Sequence, residues 1–138
     1  MIKSLLFPFL LTTVLSIFTT SCETKKKDLR NDSEQIASLI DNENGKYIEY
    51  YPGRKKIKIQ GRLDSNGDRN GIWKLFSENG IELSVTIYSK GKKDGHIIVK
   101  YPNGVLNYVG EYRMDERIGE WTFYNEQGEL IEKKVYNN

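Results

Sequence analysis

The chain reads as an all-β protein in which consecutive β-hairpins pair into one antiparallel array of about eight strands. Three observations predict this. Glycines recur at a fixed spacing: Gly71, Gly95 and Gly119 are 24 residues apart, and Gly80, Gly104 and Gly128 repeat the spacing. Large apolar residues keep the same period, with Trp73, Ile97 and Trp121 in one column and Tyr88, Tyr112 and Tyr136 in another. Between the glycines lie short alternating runs rich in Tyr, Val and Ile, the residues that favour a pleated, half-buried strand.

Each element follows from this pattern. Residues 1–21 stand apart from the repeats. Lys3 gives a short positive segment, and Leu5 to Phe18 is a nearly unbroken apolar run of 14 residues. A membrane-spanning helix needs about 20, so the run reads as the core of an export signal. Thr19, Thr20 and Ser21 follow as small residues, and then Cys22, the single cysteine of the chain. A lone cysteine forms no internal disulfide. Its place after Ser21 resembles a bacterial lipoprotein lipobox, with Thr19 where most carry Leu. That resemblance implies that Cys22 is acylated, becomes the new N-terminus, and tethers the protein to a membrane facing the periplasm or cell surface. Residues 22–44 read as a polar tether opened by Lys25, Lys26 and Lys27. A short helix is expected over 33–40, with Asp32 as its cap and Ile36, Leu39 and Ile40 on one face.

The repeats occupy 45–138, in units 45–70, 71–94, 95–118 and 119–138. In the first unit Gly45 opens the repeat, Tyr47 takes the Trp position and Leu63 the Tyr position. That unit runs 26 residues to Gly71, which predicts an insertion near its second turn. Each unit is expected to hold two strands. Asn79-Gly80 and Asn103-Gly104 predict type I′ turns, in which both central residues have positive φ; Gln127-Gly128 is a weaker version. Trp73 with Leu75, Ile97 with Val99, and Trp121 with Phe123 each share a face, so large residues should stack as a ladder from unit to unit. A unit cannot bury that ladder alone, and stability must come from its neighbours.

Little in the chain reads as chemistry. His96 is the one histidine and opens a strand, with no nucleophile and carboxylate arranged beside it. Zinc chemistry needs several His or Cys ligands. Asp64-Ser65-Asn66-Gly67-Asp68 begins like a calcium loop, but Arg69 and Leu75 occupy the places where glycine and a bidentate acid are required. It reads as a polar turn, and Asp115-Glu116 as a solvated one. Neither a catalytic residue nor a metal or cofactor is expected. Net charge is +2, too small for a global basic field. The cluster Arg54, Lys55, Lys56 and Lys58 beside aromatics has the composition to stack and hold nucleic acid, but the expected export signal argues against that partner.

The run Gly-Ile-Trp-Lys-Leu-Phe from Gly71, Glu-Asn-Gly-Ile-Glu-Leu from Glu78, Tyr-Ser-Lys-Gly-Lys-Lys-Asp-Gly from Tyr88 and Gly-Glu-Trp-Thr-Phe-Tyr from Gly119 resembles the MORN-repeat family in its bacterial variant form. Ile97 departs from it where the other units have an aromatic. The resemblance implies an elongated, twisted, largely single-layer antiparallel sheet without catalysis of its own. It also implies a scaffold or contact surface for protein or lipid, and for some members an antitoxin or immunity role. The expectation is therefore a non-enzymatic, lipid-anchored envelope protein whose sheet binds another protein. A toxin is the alternative partner, and direct lipid recognition a weaker one. Tyr50, Tyr51, Tyr101 and Tyr124 are candidate contacts, with sheet packing the competing role for them. Oligomeric state is left open by the free edges of the array.

Overall fold

The computed structural model describes residues 39–137. They form one open, twisted antiparallel sheet, and no helix occurs among them. The strands are β1 (Ile40–Glu43), β2 (Lys46–Tyr50), β3 (Ile57–Leu63), β4 (Arg69–Phe76), β5 (Glu82–Ser89), β6 (Lys92–Lys100), β7 (Leu106–Arg113), β8 (Glu116–Tyr124) and β9 (Leu130–Tyr136). Each pairs with its neighbour in sequence, so the strands lie in chain order across the sheet. The residues read as export signal, Cys22 and most of those read as tether lie outside the described residues.

The array has nine strands where the sequence predicts eight, because β1 falls in the segment read as tether. Asn44 and Gly45 have φ of 52° and 73° and form a two-residue turn that folds Ile40–Glu43 back onto β2. Gly45 therefore sits inside a hairpin rather than at the start of a repeat. The helix expected over 33–40 does not include its last two residues. Ile40 is in β1, and the Leu39 carbonyl accepts from the Tyr50 N–H at 2.9 Å; positions 33–38 lie outside the described residues.

The type I′ turns expected at the Asn-Gly pairs are not formed. Gly80 and Gly104 have positive φ, but Asn79 and Asn103 do not. The Gly80 N–H donates to the Ser77 carbonyl at 2.9 Å, and the Ser77 N–H to the Ile81 carbonyl at 2.8 Å. This is a three-residue loop closed by a left-handed glycine, not a type I′ turn. The same bonds recur at Tyr101–Val105 and Asn125–Glu129. Two-residue turns with both φ positive occur instead where β5 passes to β6, at Lys90-Gly91 (φ 49° and 81°), and at Met114-Asp115 (51° and 73°), where β7 passes to β8. The longer first unit is explained by its turns. Tyr51–Lys56 and Asp64–Asp68 each hold one more residue than the matching turns of later units, so the extra length is shared rather than placed near the second turn alone.

The glycine column at 71, 95 and 119 lies within strands. Between the pairs Gln60↔Lys74 and Arg62↔Asn70, β3 advances two residues and β4 advances four. The same excess occurs in β6 against β5 and in β8 against β7. Each excess forms a bulge, and Gly71, Gly95 and Gly119 take φ of 73°, 125° and 64° in them. The bulge throws the following Trp across the neighbouring strand. A Cβ on Gly61 would lie 2.3 Å from the Trp73 ring, and one on Gly110 would lie 2.2 Å from the Trp121 ring. In the middle repeat the ring is missing and the space is refilled: Ile97 faces buried Thr86 instead of glycine.

One row of side chains crosses the sheet through these positions: Tyr47, Gly61, Trp73, Thr86, Ile97, Gly110, Trp121 and Lys134. This first face holds the core. Trp121 is wholly buried and Trp73 is 4% exposed. Burying one such ring is worth at most about 5 kcal/mol before entropy is counted. Both indole N–H groups are satisfied, by the Arg62 carbonyl for Trp73 (3.1 Å) and the Ile118 carbonyl for Trp121 (3.2 Å).

Candidate interaction surface

On the first face each Trp is roofed by a cation and a tyrosine. The Arg69 guanidinium stands 4.3 Å from the Trp73 ring centre and 5.4 Å from that of Tyr88. Arg117 repeats this at 4.4 Å from Trp121 and 5.6 Å from Tyr136. In the middle unit Lys93 lies 4.9 Å from Tyr112. Arg69 and Arg117 also donate to the hydroxyls of Tyr88 (3.3 Å) and Tyr136 (2.9 Å). Such contacts contribute roughly 0.5–1 kcal/mol each at exposed sites. Around Trp121 the rings of Tyr112, Tyr108, Tyr136 and Phe123 lie 5.0, 5.8, 6.0 and 6.3 Å away. Burial raises the Tyr108 hydroxyl above its ordinary pKa. Positions 69, 93 and 117 share the 24-residue spacing, a column the sequence carried but that mixed Arg and Lys concealed.

The four candidate tyrosines lie along one rim, at the ends of β2, β6 and β8. Two of their hydroxyls tie neighbouring units together. Tyr51 donates to the Phe76 carbonyl and Tyr101 to the Tyr124 carbonyl, each at 2.8 Å. Asn103 adds a bond of 3.1 Å to the Glu126 carbonyl on the same rim. Tyr50 packs under the Arg54 guanidinium at 4.7 Å, and its hydrogen bond to Asp41 raises its pKa. The structure thus places them as two separate pairs on that rim, Tyr50 with Tyr51 by β2 and Tyr101 with Tyr124 by β6 and β8, with the hydroxyls of Tyr51, Tyr101 and Tyr50 engaged within the sheet and Tyr124 half-buried.

The second face has no comparable roof. Its central row runs Ile48, Gln60, Lys74, Val85, Ile98, Val109, Thr122 and Lys133. A shorter row beside it pairs Ile72 with Ile87 and His96 with Glu111. Ile72 is 57% exposed and Ile98 38%. His96, Ile98, Val109, Glu111 and Glu120 line a shallow depression, with an aliphatic floor and two acidic walls. Ion pairs edge the apolar stripe. Lys74 meets Glu82 at 2.7 Å, Lys100 meets Glu82 at 3.8 Å, and Lys133 meets Glu120 at 2.8 Å. The Lys74 hydrogen bond holds the Glu82 carboxyl below its ordinary pKa. An apolar centre with a charged margin is the anatomy of a protein contact surface.

The remaining acidic positions serve their own turns. One Asp64 carboxylate oxygen accepts from the N–H groups of Asn66 (2.9 Å) and Asp68 (3.0 Å). Asp115 accepts from the Lys93 N–H at 2.8 Å, which docks the Met114-Asp115 turn on β6. Among the described residues, no three His, Cys, Asp or Glu side chains are grouped to hold a metal. His96 is exposed and stands opposite Glu111. Compared with protein-family models, curated proteins and solved structures, the chain matches none.

Proposed function

We propose that the protein is a non-catalytic binding module whose second face takes another protein. The observation that carries this reading is the asymmetry of the sheet. One face buries its aromatics under its own cations, while the other leaves Ile72 and Ile98 in solvent between charged margins. The depression under His96 fits a partner that presents aliphatic side chains beside a basic one, since Ile98 and Val109 offer apolar contact and Glu111 and Glu120 offer negative charge.

The placement of this module at a membrane is part of the same proposal and rests on the sequence. The apolar run before Cys22 and the lysines after it support export, acylation and a tethered sheet. Kinship with MORN-type repeats rests on the quoted motifs and fits a scaffold role.

Site-specific photo-crosslinking in cells tests the surface. A crosslinker at Ile98 or Ile72 should yield a discrete protein adduct, and one at Asn42 on the first face should not. Adding Glu111→Lys and Glu120→Lys should abolish the Ile72 adduct. Equal labelling from both faces, or none from either, would remove the second face as the binding surface.

A further inference from the structure

The two edges of the sheet differ in a way that points to self-association. β1 is four residues long and carries Asp41 and Glu43. Short, charged edges resist pairing with other strands. β9 is seven residues long, and among the described residues nothing pairs with its outer side. It also carries three of the most exposed large apolar side chains: Leu130 at 54%, Ile131 at 62% and Val135 at 62%. Pairing of Glu132–Tyr136 with β8 is regular, so the outer side of that stretch is a straight hydrogen-bonding edge. The bulge opposite Phe123 and Tyr124 is confined to its start.

We infer that two copies of this chain join β9 to β9, antiparallel, about a two-fold axis through Lys133. A two-fold axis normal to the sheet keeps each side chain on its own face, so it must pass through a residue rather than between residues. Three registers leave most of the strand paired. An axis through Glu132 sets that acid against itself and Ile131 against Lys133. An axis through Lys134 sets that lysine against itself and Lys133 against Val135. The axis through Lys133 puts Glu132 opposite Lys134 and Ile131 opposite Val135, so charge meets opposite charge and apolar meets apolar.

The faces agree with this register. Glu132 and Lys134 both lie on the first face, opposite Phe123 and Trp121 of β8, while Val135 lies on the second, opposite Glu120. The one like-charged contact is Lys133 with its symmetry mate. It is already neutralised, because Glu120 lies 2.8 Å from the Lys133 ammonium on the same face. The joined sheet would hold a quartet of two lysines and two glutamates at its centre.

Charge reversal tests the register. The full 138-residue chain is purified in detergent and its protein mass followed by sedimentation across a dilution series. Wild type should sediment as two copies. Glu132→Lys or Lys134→Glu alone turns two attractive cross-strand pairs into repulsive ones and should weaken the dimer roughly tenfold or more. Together they restore opposite charges and should return affinity to near wild type. Circular dichroism confirms that each variant keeps the sheet. Ile98→Lys, on the second face, should leave the dimer unchanged. Single-copy mass at every concentration would overturn the inference. So would folded single variants that dimerise like wild type, a double variant no tighter than the singles, or loss of the dimer on Ile98→Lys.

Discussion

Gly61 and Gly110 have ordinary strand conformations, and what they supply is room. The Trp rings lie where their side chains would begin, at 2.3 and 2.2 Å. Neither ring can retreat easily, because each is held by its indole hydrogen bond and by the cation above it. Gly110→Ala should therefore lower stability by about 1–3 kcal/mol, the usual cost of overpacking, and more if Trp121 is expelled. Thermal unfolding measures the loss, and Trp121 emission should shift red as the ring meets water. A Gly110→Ala variant that melts like wild type would show that the ring has another resting place. Gly80→Ala has nothing within 4 Å to strike, so its effect should come from φ of +85° alone.

At the scale of elements, each bulge and the strand facing it form a matched pair: Trp73 with Gly61, Ile97 with Thr86, Trp121 with Gly110. The middle pair trades ring volume for side-chain volume on the other strand. Ile97→Trp should thus destabilise the sheet, and adding Thr86→Gly should recover most of the loss. A double-mutant cycle in urea should give a coupling of about 1–3 kcal/mol; additive effects would mean the two positions do not share one space. The sequence shows half of this arrangement. Trp73, Ile97 and Trp121 repeat at one spacing and are legible. Their complements are not, because glycine recurs at 61 and 110 but is replaced by Thr86 between them, so no column of one residue type exists. β1 was hidden for a different reason: Ile40–Glu43 is short and polar, and only the Asn44-Gly45 turn marks it. The loop length at Asn79-Gly80 and Asn103-Gly104 was not legible, because Asn-Gly fits both a two-residue turn and the end of a three-residue loop; the hydrogen bonds of Ser77 and Tyr101 decide between them.

For the whole molecule, the aromatic face sets the response to alkali. Burial raises the Tyr108 pKa above the ordinary tyrosine value of 10.0. Its neutral form is thus favoured by folding, so its contribution is fully present below pH 10 and is lost as pH rises through the folded value. Absorbance titration should show the last tyrosine ionising together with unfolding, and Tyr108→Phe should flatten the fall in stability above pH 10. An unchanged profile would mean that another group governs the transition; Tyr47, also raised by burial, is the next to replace. The all-β array was legible at this scale, because local hairpins and one period determine a meander. The difference between the faces was not, since it depends on which cation lies over which ring.

The bulges carry a further consequence for how such an array can change length. Side chains in a strand alternate between faces, so parity is the quantity a strand must protect. Each interior bulge adds two residues, an even number, and returns the chain to the face it left. Single extra residues are confined to strand ends and turns, at the shifts beside Tyr50, Phe76, Lys100 and Tyr124 and in the longer loops of the first unit. An odd change inside a strand would send the aromatic ladder to the opposite face for the rest of that strand. The loops can grow one residue at a time, while the strands can be edited only in steps of two.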